Sequence, residues 1–357
     1  MRESIALGIK KGMAAFVITY LAAFIISLIF SITGMDLFKE AVLGAMGAES
    51  SSGFGAIIKM TAIISSVALF NIHKGMQLGI LILGLIPLFA FFITRSNKAS
   101  EESLGIKQLV QYFIGALVFS LEMFLLQAAT QGEFMGVEVS FMGWRNPLIT
   151  FFVAFAVQMI IGINSKKEQK SFIRAAKLLI RMAAGVGASM ALYDLIRLSM
   201  KLPLGVFGKI GAIFVALPNA AAYKMFLLMG IELQLSDSLV GIFEKLGGIG
   251  FSYQSLSVGL SVALIFVWLI MVAIAISRIQ REGYWLDLLR FIVVFTVFSM
   301  FLAFCGTINI GKIAVAGEIS IGISVLQAVI IPFVMLLSVG IVVWLFRKML
   351  MLIKEIN

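Results

Sequence analysis

The residues of this chain best placed to do chemistry are polar groups set inside apolar runs. Glu122 lies in QLVQYFIGALVFSLEMFLLQ (residues 108–127), with no Lys or Arg within a helical turn of it. A carboxylate there needs a partner from another helix, water or a bound ion, and intramembrane ionisable groups are costly enough to mark solute pathways. The blander reading, of equal weight, is a protonated side chain capping a neighbouring helix at an interface. Asp194 and Arg197 fall in MAAGVGASMALYDLIRLSM (182–200) and are spaced to pair on one helix face; a structural ion pair outweighs a transport relay there. Ala183, Ala184, Gly187 and Ala188 precede them as a small-residue face suited to close helix packing.

A second group sits at two interruptions of the apolar pattern. Between Gly53 and Leu78, a run with Lys59 inside it stops at Asn71, His73 and Lys74. From Ile57 to Ile72 it is shorter than the ~20 residues that span a hydrocarbon core, so residues 55–73 are expected to dip into the bilayer and return, or to lie at its interface. The stretch from Gly208 to Gly230 carries Lys209 and Lys224 and is expected to break at Pro218 and Asn219. Interrupted segments in matching places of two halves point to a transport site, which makes Asn71, His73 and Asn219 pathway candidates with Glu122, Asp194 and Arg197. The four lysines would make an anion-attracting vestibule, or more simply snorkel to head groups. His73 is the only histidine, an interfacial residue or a gate at the outer mouth; with Cys305 the only cysteine, neither a His-based zinc site nor a disulfide can be built.

Catalytic signatures are missing. No GxxxxGK[ST], HExxH, GxSxG or CxxC occurs, so no enzyme activity, cofactor or metal is expected. A lipid-directed enzyme using Glu133, Glu138 and Glu318 lacks any catalytic spacing. Trp144, Trp268, Trp285 and Trp344 read as interface anchors rather than ligand stackers.

The elements that must position these residues follow from composition. With 61% apolar residues, 13% charged and a mean hydropathy of +1.08, the 357-residue chain has too little polar surface for a soluble globule. Continuous helix-length apolar runs, without strand-sized alternation, indicate an all-α polytopic membrane protein. About eight transmembrane helices are expected. A first membrane half (1–164) holds spans near 13–32, 77–94 (kinked at Pro87), 108–127 and 147–164. A basic cytoplasmic linker helix (165–181) follows, and a second half (182–357) has one crossing within 182–230 and spans near 253–277, 288–306 and 322–346. Asp36 to Gly47 and Ser236 to Gly248 read as interfacial helices. Residues 78–170 laid over 260–351 show the same order of spans, turns and loops, which predicts a parallel two-fold repeat with interrupted helices.

The net charge of +10 is concentrated beside apolar runs, as membrane orientation and anionic lipid require; no nucleic-acid partner is expected. With both termini cytoplasmic, the inner segments hold 18 of the 28 Lys and Arg residues. Lys166, Lys167, Lys170, Arg174, Lys177 and Arg181 make the most basic stretch, amphipathic as a helix and suited to docking a protein partner or anionic lipid. The leading expectation is a multi-pass protein of a bacterial-type inner (cell) membrane, moving a small solute or ion as a secondary transporter, channel or permease subunit. The rival is a membrane scaffold or assembly factor working through the basic segment.

Overall fold

A computed structural model describes residues 2–32, 54–73, 76–94, 106–128, 132–134, 137–139, 143–164, 170–201, 205–236, 258–280, 282–313 and 317–356. The expected interfacial helices at 36–47 and, beyond Ser236, at 236–248, and the basic residues Lys166 and Lys167, lie outside them. The chain is an all-α polytopic membrane protein: among the described residues seven helices are long and apolar enough to cross a bilayer, at 2–28, 106–128, 171–199, 208–228, 259–276, 284–306 and 325–353. Their outward faces carry large apolar side chains such as Leu125, Phe214, Phe266 and Phe346, as contact with lipid requires.

The chain divides into two compact units, residues 1–167 with 309–315, and residues 168–308 with 316–357. The first contains α1 (Arg2–Ile32), α2 (Phe54–Ala68), α3 (Leu85–Ile93), α4 (Ile106–Ala128) and α5 (Arg145–Asn164). Strands β1 (Ile72–His73) and β2 (Met76–Leu78) pair as a small hairpin after α2, and β3 (Gly132–Phe134) pairs with β4 (Val137–Val139) between α4 and α5. The second unit contains α6 (Ser171–Ser199), α7 (Val206–Leu228), α8 (Val258–Ile276), α9 (Tyr284–Gly306) and α10 (Val325–Ile356). Strand β5 (Gln234–Leu235) follows α7 and pairs with β7 (Gly317–Gly322); β6 (Ile308–Ile313) and β7 join α9 to α10.

In the first unit α1 packs on α2, α3 and α4, α4 on α2 and α5, and α3 on α2 and α5. Glycine sets the closest approach. A Cβ built on Gly8 would meet the Gln111 carbonyl at 2.8 Å, and one on Gly12 the Gly115 carbonyl at 2.6 Å, so α1 and α4 touch backbone to backbone and run parallel. α5 returns along α4, with the Ser120 hydroxyl donating to the Pro147 carbonyl (2.5 Å) and Nε2 of Gln158 to the Tyr112 carbonyl (3.1 Å).

In the second unit α6 packs on α7, α8 and α9, α9 on α7 and α10, and α8 on α7 and α10. Ser171 donates to Asp287 at the start of both α6 and α9, so these two are parallel. α10 runs back along α9: Tyr284 donates to the Gly340 carbonyl (2.8 Å), and Trp285 lies 5.4 Å from Trp344 between ring centroids. The far end of α10 is tied to α8 by Arg347, which donates to the carbonyls of Ser277 and Ile279.

Three elements differ from the sequence expectation. From Ser171 on, the basic stretch is no separate linker helix; it forms the start of α6, which continues through residues 182–199. Both α6 and α7 have the length of a crossing, and the single net crossing expected between 182 and 230 corresponds to α7 stopping partway. α7 also passes straight through Pro218, so the expected break there is absent. Pro218 has no N–H to give the Phe214 carbonyl, a loss that helices in lipid tolerate when neighbouring groups compensate. Within the expected span at 77–94, only nine residues are α-helical. Pro87 sits in the first turn of α3, where its missing N–H costs nothing, and starts the helix rather than kinking it.

Candidate functional site

The site is built around the end of α2. Oγ1 of Thr61 lies 3.2 Å from Oγ of Ser27, which is roughly 22 Å beyond Gly12 along α1 at 1.5 Å per residue. At its other end, Asn71 accepts a hydrogen bond from Thr150 (3.2 Å), one turn into α5 and close to the level of Ser120. α2 therefore runs back against α1 and stops inside the unit, while α4 continues roughly 20 Å past that level to its own start. Every residue from Thr61 to Asn71 is buried, so the last turns of α2 are enclosed on all sides.

The helix ends in a Schellman cap. The N–H groups of Leu69 and Asn71 both reach the Ser66 carbonyl (3.2 and 3.1 Å), and that of Phe70 reaches Val67 (3.0 Å). The closing residue must be left-handed, and Phe70 takes φ 58°, a conformation that is costly for a residue with a Cβ. Its ring is accommodated by Gly84, where a Cβ would lie 2.6 Å from the Phe70 Cζ. Strain of this kind persists where the surroundings over-determine it, and such places are often functional.

Polar groups are concentrated at this end. The hydroxyls of Ser65 and Ser66, 0% exposed, and Nδ2 of Asn71, 1% exposed, have no hydrogen-bond partner among the described residues. Buried polar groups without partners are uncommon and call for an explanation such as a water or an ion. On α4, Oε2 of Glu122 is likewise buried and unpartnered.

In the second unit, α7 runs back against α6: Gly187 of α6 faces Ala221 to Met225, and Lys224 pairs with Asp194. The Tyr223 hydroxyl donates to the Gly306 carbonyl (2.5 Å) at the far end of α9 and is also hydrogen-bonded by Asn219. From that level α7 has roughly 8 Å left to run, whereas α9 extends roughly 33 Å back to its start. α7 closes with the same hydrogen bonds: Met229 and Ile231 to the Phe226 carbonyl, Gly230 to Leu227, each at 3.0 Å, and Gly230 at φ 79°. At the places of Ser65, Ser66 and Asn71 stand the buried Met225, Phe226 and Ile231.

The sequence candidates thus fall into separate surroundings. Asn71 stands at the α2 end, with His73 two residues on in β1. Asp194 and Asn219 belong to the α6–α7 pair. The partner of Asp194 is Lys224 on α7, which is 2% exposed, and not Arg197, which is exposed; the expectation that Lys224 snorkels to head groups is corrected accordingly. Sequence reading missed Ser65, Ser66 and Thr150. Ser65 and Ser66 form the only adjacent polar pair within residues 57–70, a signal that was available. The exposed basic residues Lys170, Arg174 and Arg181 border α6, but the opposite face of that helix, Ala175, Ala176 and Leu179, is spent in the core of its own unit.

Fold and site together define a polytopic helical membrane protein with a cluster of buried polar side chains at the end of the short, buried helix α2. Comparison with protein-family models, with curated proteins and with solved structures finds no match to this chain.

Proposed function

We propose that this is a transport protein of the cell membrane, a secondary transporter, channel or permease subunit, whose solute site is the polar end of α2 in the first unit. The carrying observation is that α2 stops inside its unit and leaves the Ser65, Ser66 and Asn71 groups unpartnered there. A scaffold has no use for unpaired polar groups in an apolar interior, since each costs about 1–3 kcal/mol. A permeation site does, because the solute or its water completes them.

Duplication supports the same reading. Each helix packing of the first unit has its counterpart in the second when α1 to α5 are matched to α6 to α10. The buried registers coincide as well: Gly12, Ala15, Thr19 and Ala23 against Ala176, Leu179, Ala183 and Gly187, and Phe119, Ser120 and Met123 against Phe295, Thr296 and Ser299. Both partial helices end in the same left-handed cap. Such repeats, with discontinuous helices at corresponding places, are a recurring plan of membrane transporters. In each unit the first and fourth helices are parallel and the fifth returns, so each begins and ends on one side; the Lys and Arg bias makes that side cytoplasmic.

The native thiol, Cys305, is buried, which allows a direct test. In a Cys305→Ala background, Ser66→Cys and Asn71→Cys should react with small membrane-impermeant thiol reagents in sealed vesicles, because a solute path admits water to the end of α2. If both stay unreactive from either side while an exposed control position labels, the interior is sealed. The scaffold reading, with its exposed basic face at Arg174 and Arg181, then takes over.

A further inference from the structure

We infer that the end of α2 binds a monovalent alkali cation of the sodium or potassium class. This deepens the transport reading by naming the ion that would occupy, or couple to, the same site. The helix dipole decides the sign. The C-terminal end of a helix carries roughly half a negative elementary charge, and here it is enclosed on every side, where surrounding water cannot screen it. A cation is drawn to that end and an anion is repelled, even though serine hydroxyls and an amide could serve either.

The donor set decides the class. Ser65 Oγ and Ser66 Oγ, hard neutral oxygens with no competing partner among the described residues, stand in the last turns of α2 before the cap, where Asn71 Oδ1 accepts from Thr150 Oγ1. A divalent ion demands carboxylates. Among the described residues no group of three or more His, Cys, Asp or Glu is gathered anywhere. Neutral oxygens with a helix C-terminus are instead what discontinuous transporter helices present to sodium. The cap does not itself require these side chains, since α7 makes the same hydrogen bonds with Met225, Phe226 and Ile231 at the equivalent places.

The test uses the full chain purified in detergent. Thermal unfolding is followed in sodium chloride, potassium chloride or N-methyl-D-glucamine chloride at equal ionic strength. At least one alkali salt should raise the midpoint saturably above the organic-cation control, and the double variant Ser65→Ala with Ser66→Ala should weaken the apparent affinity tenfold or more. A midpoint that depends on ionic strength alone, or an alkali effect undiminished in the double variant, overturns the proposal. Protection of Ala68→Cys, at the buried end of α2 and not itself a ligand, from thiol reagents by the same alkali ion gives a second readout in folded protein. If Ala68→Cys labels freely and no alkali salt protects it, the cation falls while the transport path stands. If it never labels yet alkali ions stabilise the wild type and not the double variant, the cation stands and the path falls.

Discussion

Asp194 and Lys224 show what one residue pair does in an apolar interior. A lone charge on either helix would be prohibitive, and pairing makes both tolerable; but removing one partner strands the other, at a cost of about 3–5 kcal/mol. Asp194→Asn should therefore lower the unfolding midpoint of the purified protein sharply. Asp194→Asn combined with Lys224→Met should recover most of that loss, because the double variant buries no unpaired charge. Equal damage from single and double variants would show that the pair acts through something other than mutual neutralisation. Phe70 makes the complementary case. Its strained φ and its fit against Gly84 are coupled, so Gly84→Ala should destabilise by about 1–3 kcal/mol through overpacking, measured by the same unfolding assay.

At the scale of elements, close helix contact rests on glycine carbonyl pairs. Gly12→Ala drives a Cβ to 2.6 Å from the Gly115 carbonyl, a backbone atom that cannot rotate away, so α1 and α4 must separate. Gly185→Ala on α6 meets nothing within 4 Å and gains helix propensity. The first variant should unfold at lower temperature than the wild type and the second should not; equal behaviour would mean the α1–α4 contact is looser than the structure has it. The same distinction explains what could be read from the sequence. Long apolar runs delimit α4 and α5 closely, because twenty apolar residues have few alternatives in a membrane protein. The partial helix at 54–68 was legible from its shortness and from Asn71. The break expected at Pro218 is absent, because a proline weakens a helix only locally whereas a left-handed cap such as the one at Gly230 ends it. The pairing of Asp194 with Lys224 depends on how α6 and α7 face one another, which lies beyond helical spacing within one segment; the nearer Arg197 was the natural but incorrect choice.

For the molecule as a whole, the number of full crossings per unit fixes what its ends can do. If α2 and α7 each stop partway and return, each unit crosses four times in net and restores the chain to the side it left; if either crossed fully, everything after it would invert. The two alternatives place the termini differently, and the charge bias favours only the first, since one inversion would export basic segments such as Arg278 and Arg290. Reporters fused at the N-terminus and after Asn357 should thus both be active only in the cytoplasm. A protease site inserted between β3 and β4, at residues 135–136, should be cut only from outside. Opposite locations for the two termini would require one partial helix to be a complete span. A cytoplasmic cut between β3 and β4 would require the whole first unit to be turned over. Were α2 that complete span, its enclosed end would be lost, and with it the reason for Ser65, Ser66 and Asn71 to be polar where the same positions on α7 are not.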